Sequence, residues 1–318
     1  MRNSSTILLV ATLWALLLSV TNCKKEKDSE IPEKEAMTLL LNDDISADSL
    51  QSLVTWLQDM GTRFTLTDDH RNVALSIKNR FLRFGYTNAT IDSFWVDRVY
   101  QNINYGQWQY NVTATLEGSS MPDSISVMGA HYDDYSGSGD PFVIAPGAND
   151  NASGVAAALE VARVMKKNNY RPAGTIMFVA FGAEELGLYG SSAFVTEAVS
   201  TGKKIRFMLN NDMIAYQPDN NKANWSVDIM DYDNSHFLRT EAEKLCSKYT
   251  ALQFFNDNTH NNASDSYPFF AAGFKPLFFF SQTIDPNYHT AEDLASNCNF
   301  EYSREIVMLN CAVLVDKN

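Results

Sequence analysis

From residue 124 onward, short apolar runs alternate with amphipathic or alanine-rich runs, and this alternation restricts the chain to a narrow set of folds. "SISVMGA", "GTIMFVAFGA", "KIRFMLNND", "WSVDIMD" and "KPLFFFSQ" have the length and the β-branched or aromatic content of strands. Among them lie "GVAAALEVARVM" and "SHFLRTEAEKLCSKY", and near the C-terminus "FEYSREIVMLNCAVLV", all of helical pattern. Strands this apolar are covered on both faces. The pattern therefore predicts an α/β protein of three layers, α/β/α, around a mostly parallel mixed sheet.

The preceding residues fit the same body. Leu50, Leu53, Val54 and Leu57 repeat at helical spacing up to a stop at Gly61, and Val73, Ile77, Phe81 and Phe84 do so up to Gly85. "DSFWVDRVYQ" and "WQYNVTATLEG" alternate like strands and predict an antiparallel pair at the sheet edge. With no internal repeat, residues 41–318 read as a single domain, and the charged residues 23–40 as a tether.

The N-terminus reads as an export signal. Arg2 precedes the apolar run "ILLVATLWALLLSV", which is shorter than the roughly 20 residues a membrane span needs. Residues 1–22 are thus expected to be a signal peptide. Cys23 follows, and "KKEKDSE" after it resembles the start of a bacterial lipoprotein acylated at that cysteine. This predicts an exported protein, a periplasmic or outer-membrane lipoprotein of a Gram-negative bacterium, with membrane contact only through the lipid. The alternative is a secreted protein. The net charge of −13 disfavours nucleic acid as a partner. Cys246, Cys298 and Cys311 permit at most one disulfide, of open pairing, and no CxxC suggests a thiolate metal site.

Five side chains carry the chemistry: His131 in "GAHYDD", Asp150 in "GANDNASG", Glu185 in "GAEELGLYGS", Asp212 in "NNDMIAY" and His289 in "NYHTAED". Each follows a predicted strand or opens a helix. In an open parallel sheet, ligands bind outside the carboxyl ends of the strands, so these positions should converge there. Mixed nitrogen and oxygen donors suit zinc. Two zinc ions with one hydroxide balance three carboxylates, whereas a single zinc leaves excess negative charge in a poorly solvated cleft.

These five motifs, in this order, resemble the zinc aminopeptidases with co-catalytic metals, a clan (MH) that also includes glutaminyl cyclases and glutamate-carboxypeptidase-like enzymes. The resemblance spans about residues 45–315 and is most specific over residues 129–293. It implies the zinc-dependent exopeptidase (phosphorylase/hydrolase-like) fold, two zinc ions and a peptide substrate. Asp150 would bridge the ions, His131 and Asp212 would complete one site, and Glu185 and His289 the other. Asp133 would orient the His131 ring by accepting its second N–H. Glu184 remains as general base for a metal-bound hydroxide that releases N-terminal residues from peptides. The alternatives within the clan are a glutaminyl-peptide cyclotransferase using one zinc, and a carboxypeptidase or dipeptidase. A binding module without catalysis is disfavoured because all five ligand positions and Glu184 are filled.

His260 is expected to overhang the site from a polar loop. Tyr267, Phe269 and Phe270 line a substrate pocket or pack the core. Ser266 stands where many relatives have histidine. His70 and His236, near helix starts, are expected at the surface.

Overall fold

The computed structural model describes residues 32–318. The expected signal peptide, Cys23 and the first part of the tether lie outside the described residues. In chain order the main elements are helices α1 (Glu33–Asp44), α2 (Ala47–Gln58) and α3 (His70–Arg83), then strands β1 (Thr90–Tyr100), β2 (Ile103–Leu116) and β3 (Met121–His131). Next come α4 (Ser153–Lys167), β4 (Gly174–Phe181), α5 (Tyr189–Ser200), β5 (Lys204–Asn211), β6 (Ser226–Met230) and α6 (His236–Tyr249). Strand β7 (Gln253–Phe255), α7 (Ser266–Ala271), β8 (Pro276–Ser281) and α8 (Phe300–Lys317) complete the unit Glu33–Asn318.

The strands form one sheet in the order β1-β2-β4-β3-β5-β8-β6-β7. Strands β4, β3, β5 and β8 are parallel neighbours, while β1 and β2 form the antiparallel pair at one edge. Strand β6 runs antiparallel to β8. The chain passes from β3 to β4 on one side and then returns to β5 on the other, so the connections diverge around β3. Such a divergence opens a crevice at the carboxyl ends of the strands.

Strand β4 shows why helices cover both faces. Ile176, Phe178 and Ala180 join the larger core, shared with α4 and α8, while Met177, Val179 and Phe181 join a second core with Phe194 and Val195 of α5. Period-two alternation sends consecutive side chains to opposite faces, and here both are dry. Helix α4 crosses the sheet at close range: a Cβ on Gly154 would lie 2.2 Å from the Asn211 carbonyl oxygen. The alanines that follow keep the remaining turns of the helix near the strands.

Residues 33–40, expected within the tether, are helical. They belong to α1, whose Thr38, Leu41 and Asn42 are buried. Arg304 of α8 donates to the carbonyls of Asn42 and Ile45 at 3.2 and 2.7 Å. The charged residues of "EKEAMTLLLNDD" occupy the outer face of a packed helix, which composition alone cannot distinguish from a solvated linker. Among the described residues no helix is long and apolar enough to cross a membrane. Cys246, Cys298 and Cys311 are all free thiols.

Candidate metal centre

Because β3, β4, β5 and β8 point the same way, the residues that follow them meet on one rim. His131 ends β3, Glu184 and Glu185 follow β4, Asp212 follows β5, and His289 lies on the loop after β8. Asp150 arrives from the turn Ala148–Ala152 that leads into α4. The structure thus brings all five expected ligand residues and Glu184 together.

Asp150 occupies the centre. One carboxylate oxygen, Oδ1, lies 3.3 Å from His131 Nε2, and the other, Oδ2, lies 3.2 Å from His289 Nε2. On one side Asp212 Oδ1 is 3.4 Å from His131 Nε2, and on the other Glu185 Oε2 is 2.9 Å from His289 Nε2. Glu184 Oε2 stands back at 3.9 Å from His131 Nε2. Two donor sets, His131 with Glu184 and Asp212, and His131 with Asp150 and Glu185, have atoms all within 4.8 Å of one another. A single carboxylate facing two imidazoles, each with its own further acid, is the layout of two adjoining cation sites.

The donors are mostly buried and incompletely satisfied. Glu185 Oε1, Asp212 Oδ1 and His289 Nε2 have no hydrogen-bond partner among the described residues. Such groups are costly unless something else pairs with them. Nitrogen and carboxylate oxygen donors with open lone pairs aimed at one space fit zinc.

With only protein groups as partners, the charges compensate one another. Burial lowers the His289 pKa, but the contacts with Asp150 and Glu185 prevail and raise it to about 10. Burial likewise opposes protonation of His131, yet Glu184 and Asp212 hold it well above its ordinary value. Burial pushes Glu184 well above the usual carboxyl range, against the pull of His131. Burial and the neighbouring Asp150 raise Glu185 to about 8.

The support around these donors differs from the sequence expectation in one respect. Asp133 does hold the His131 ring, but through its backbone carbonyl, which accepts from Nδ1 at 3.1 Å, while its carboxylate Oδ1 is 3.7 Å away. That carboxylate instead accepts the main-chain N–H groups of Glu184 and Glu185, at 3.0 and 3.2 Å. One residue therefore fixes the His131 ring and the paired glutamates together. Asp293 was missed from the sequence, although it lies within the His289 motif. Its two oxygens accept from the backbone N–H groups of Asn149 and Asp150 at 2.8 and 2.9 Å. Ser264 donates to Asp212 Oδ2 at 2.7 Å. Asp265, beside it, is fully buried, and neither of its oxygens has a hydrogen-bond partner among the described residues.

A cavity of about 510 Å³ opens over the cluster. His260 lines it, as expected. Tyr267 and Phe269 do not. Tyr267 is 41% exposed on the outside of α7, and Phe269 is 0% exposed, packed on Phe181 and Phe194. The apolar lining comes instead from Phe278 and Phe280 of β8, Met213, Leu188, Ile284 and Tyr288. Helix α7 is only six residues long, with Ser266 and Phe269 its buried residues, too short a run for periodicity to show its inner face. His70 is also not at the surface. It is buried and stacked on Tyr110, whereas the exposed His236 ring bonds Asp231.

The three layers and the histidine–carboxylate rim define the zinc-dependent exopeptidase fold. Residues 111–314 match Peptidase family M28, and the chain belongs to that family. A "Probable zinc metalloprotease" of Leptosphaeria maculans is 32% identical over 201 residues, covering 58% of this chain and 44% of that one. A "Probable leucine aminopeptidase" of Trichophyton verrucosum is 31% identical over 205 residues, 62% of this chain and 53% of that one. The chain thus spans about half or less of these relatives. Solved structures share the fold as well. A zinc aminopeptidase from Bacillus subtilis has a TM-score of 0.72 at 20% identity, with 86% of this chain and 95% of that chain covered. A glutaminyl cyclase from Bacteroides thetaiotaomicron has a TM-score of 0.68 at 18% identity, with 86% and 99% covered.

Proposed function

We propose that this protein is a zinc-dependent aminopeptidase that removes N-terminal residues from peptides. The observation that carries this reading is the Asp150 carboxylate, whose two oxygens face His131 and His289 at 3.3 and 3.2 Å. His131, Asp150 and Asp212 would hold one zinc, and Asp150, Glu185 and His289 a second. Bound zinc supplies Lewis acidity, which polarises a peptide carbonyl and makes water a better acid.

The chain's own residues supply the rest. Glu184 lines the cavity and stands farther back, at 3.9 Å from His131 Nε2, than the acids assigned to the two zinc ions, which leaves it for the general base. Its carboxylate would take a proton from the attacking water and return it to the departing amine. Asp133 keeps Glu184 and Glu185 aimed apart by gripping both of their main-chain N–H groups. The acids at the cavity floor favour a free α-ammonium over a blocked terminus. Phe278, Phe280 and Tyr288 offer an apolar side chain a place to sit.

Incubating the zinc-loaded protein with peptides of free and acetylated N-termini, and following the products by mass spectrometry, tests the reading. Stepwise release of amino acids from free termini alone is expected. Loss of ammonia from N-terminal glutamine, without cleavage, would identify a cyclotransferase instead. Cleavage from the C-terminus would identify a carboxypeptidase.

The N-terminal segment supports a second element of the proposal, export and acylation at Cys23. Intact mass of the protein purified from membranes should show a diacylglyceryl cysteine as the first residue. An unmodified Cys23, or cleavage at another bond, would discard that element.

A further inference from the structure

The buried segment between α2 and α3 reaches the metal centre from outside the family match, which begins at residue 111. We infer that Arg63 and Thr65 on this segment are positioning residues that set the spacing of the ligands and of Glu184. The inference rests on the metal-centre reading above and deepens it.

Arg63 is fully buried, and each of its three guanidinium nitrogens donates to main-chain carbonyls. Nε donates to the Tyr132 carbonyl at 2.8 Å, and Nη1 to the carbonyls of Leu57 and Pro146 at 3.1 and 3.0 Å. Nη2 donates to the Gly147 carbonyl at 2.8 Å and lies 3.2 Å from Asp134 Oδ2. Tyr132 follows His131, and Gly147 leads into the turn that carries Asp150. One rigid fork therefore ties together the two loops whose ligands face each other. The fit leaves no slack: a Cβ on Gly147 would come within 2.7 Å of Arg63 Nη2, and φ there is +51°. A guanidinium suits this task because its five donors are fixed in one plane; an ammonium has three and no plane.

Thr65, also fully buried, acts on the other half of the site. Its Oγ1 donates to Asp133 Oδ2 at 2.7 Å, the carboxylate that holds the main chain of Glu184 and Glu185. The Thr65 carbonyl is in turn gripped by Gln107 and Gln109 of β2, each at 2.6 Å. Phe64, between the two, turns the opposite way into a cluster with Leu186, the neighbour of Glu185. Three consecutive residues thus touch the supports of His131, Asp150 and the glutamate pair.

A tie that merely stabilises the fold and one that sets ligand spacing differ in what they change. Groups behind metal ligands typically alter metal affinity or activity by about 10–100-fold. Thr65→Val, Thr65→Ser and Arg63→Lys in the full chain separate the two roles. Zinc dissociation constants are read by competition with a chromogenic chelator, kcat and KM on a free-amine peptide, and melting of the chelated protein by circular dichroism. Thr65→Val is expected to weaken zinc binding roughly 10-fold and to lower kcat by a similar factor, with KM within about twofold. Thr65→Ser should restore both. Arg63→Lys should weaken zinc binding by 10-fold or more; if it does not fold, the Thr65 pair decides. Variants that lower the melting temperature yet leave zinc affinity and kcat at wild-type values would overturn the inference. A wild-type protein that binds zinc but cleaves no peptide removes the functional reading alone, and the zinc affinities still judge the strap. A wild-type protein that binds no zinc removes both.

Discussion

Glu184 and Glu185 are chemically alike and one peptide apart, and the structure gives them different surroundings. Glu185 Oε2 lies 2.9 Å from His289, whereas Glu184 stands 3.9 Å from the nearest imidazole nitrogen. Glu184→Gln keeps the shape and removes the proton acceptor. It should lower kcat by about 10²–10⁴-fold while zinc binds normally, measured by steady-state kinetics beside metal analysis; full turnover would remove Glu184 from the base role. The histidines give a prediction about pH. In chelated protein the His289 pKa is raised from 6.5 to about 10, because its contacts with Asp150 and Glu185 outweigh burial. A raised imidazole pKa stabilises fully below the unfolded value and loses that contribution as pH climbs through the folded one. Zinc needs the neutral ring, so its binding strengthens over the same range. The gap in melting temperature between zinc-loaded and chelated protein should therefore widen from pH 6 to pH 9. Calorimetric titration in buffers of different ionisation enthalpy should show protons released on zinc binding; release of none would contradict the charge balance described here.

At the level of elements, what could be read from the sequence was whatever local periodicity determines. Strands β3, β4, β5 and β8, helices α2, α3 and α4, and the β1–β2 pair all carry their own pattern, and the ligand motifs sit at their ends. What could not be read depended on partners distant in the chain. Helix α1 looked like a tether because its burial is visible only against α8. Whether Phe269 lines the cavity or packs the core stays open in the sequence because a six-residue helix is too short to show which face is apolar. Arg63 and Asp293 act on main-chain atoms, which leave no side-chain signature in the sequence. Phe269→Ala should cost about 3–5 kcal/mol of stability with KM unchanged, whereas Phe280→Ala should raise KM for peptides with apolar first residues; the converse would return Phe269 to the cavity. The junction of β6 and α6 offers a second test. Burial pushes the Asp231 carboxyl up, but hydrogen bonds with His236, Asn258, Asn256 and Arg239 prevail and hold it below the usual range. A depressed carboxyl stabilises above its unfolded pKa and loses that as pH falls through the folded one. Asp231→Asn should lower the melting temperature by roughly 2–4 °C at pH 7, and by less at pH 3. An equal loss at both values would show that charge plays no part.

For the molecule as a whole, the sheet concentrates negative charge at one place. A chain of net charge −13 places Asp150, Glu184, Glu185 and Asp212 on a single buried rim with only two histidines among them. Mutual repulsion in a poorly solvated cleft opposes folding unless cations or protons intervene. Zinc is thus expected to be part of the stability of the native state as well as its chemistry, by mass action on a site formed only in that state. The central claim, that this rim holds two zinc ions on either side of Asp150, is tested most directly by anomalous diffraction at the zinc edge from crystals of the zinc-loaded protein. Two peaks are expected, about 3.5–4 Å apart, one on the His131 side of the Asp150 carboxylate and one on the His289 side. A single peak, or peaks away from Asp150, would contradict it.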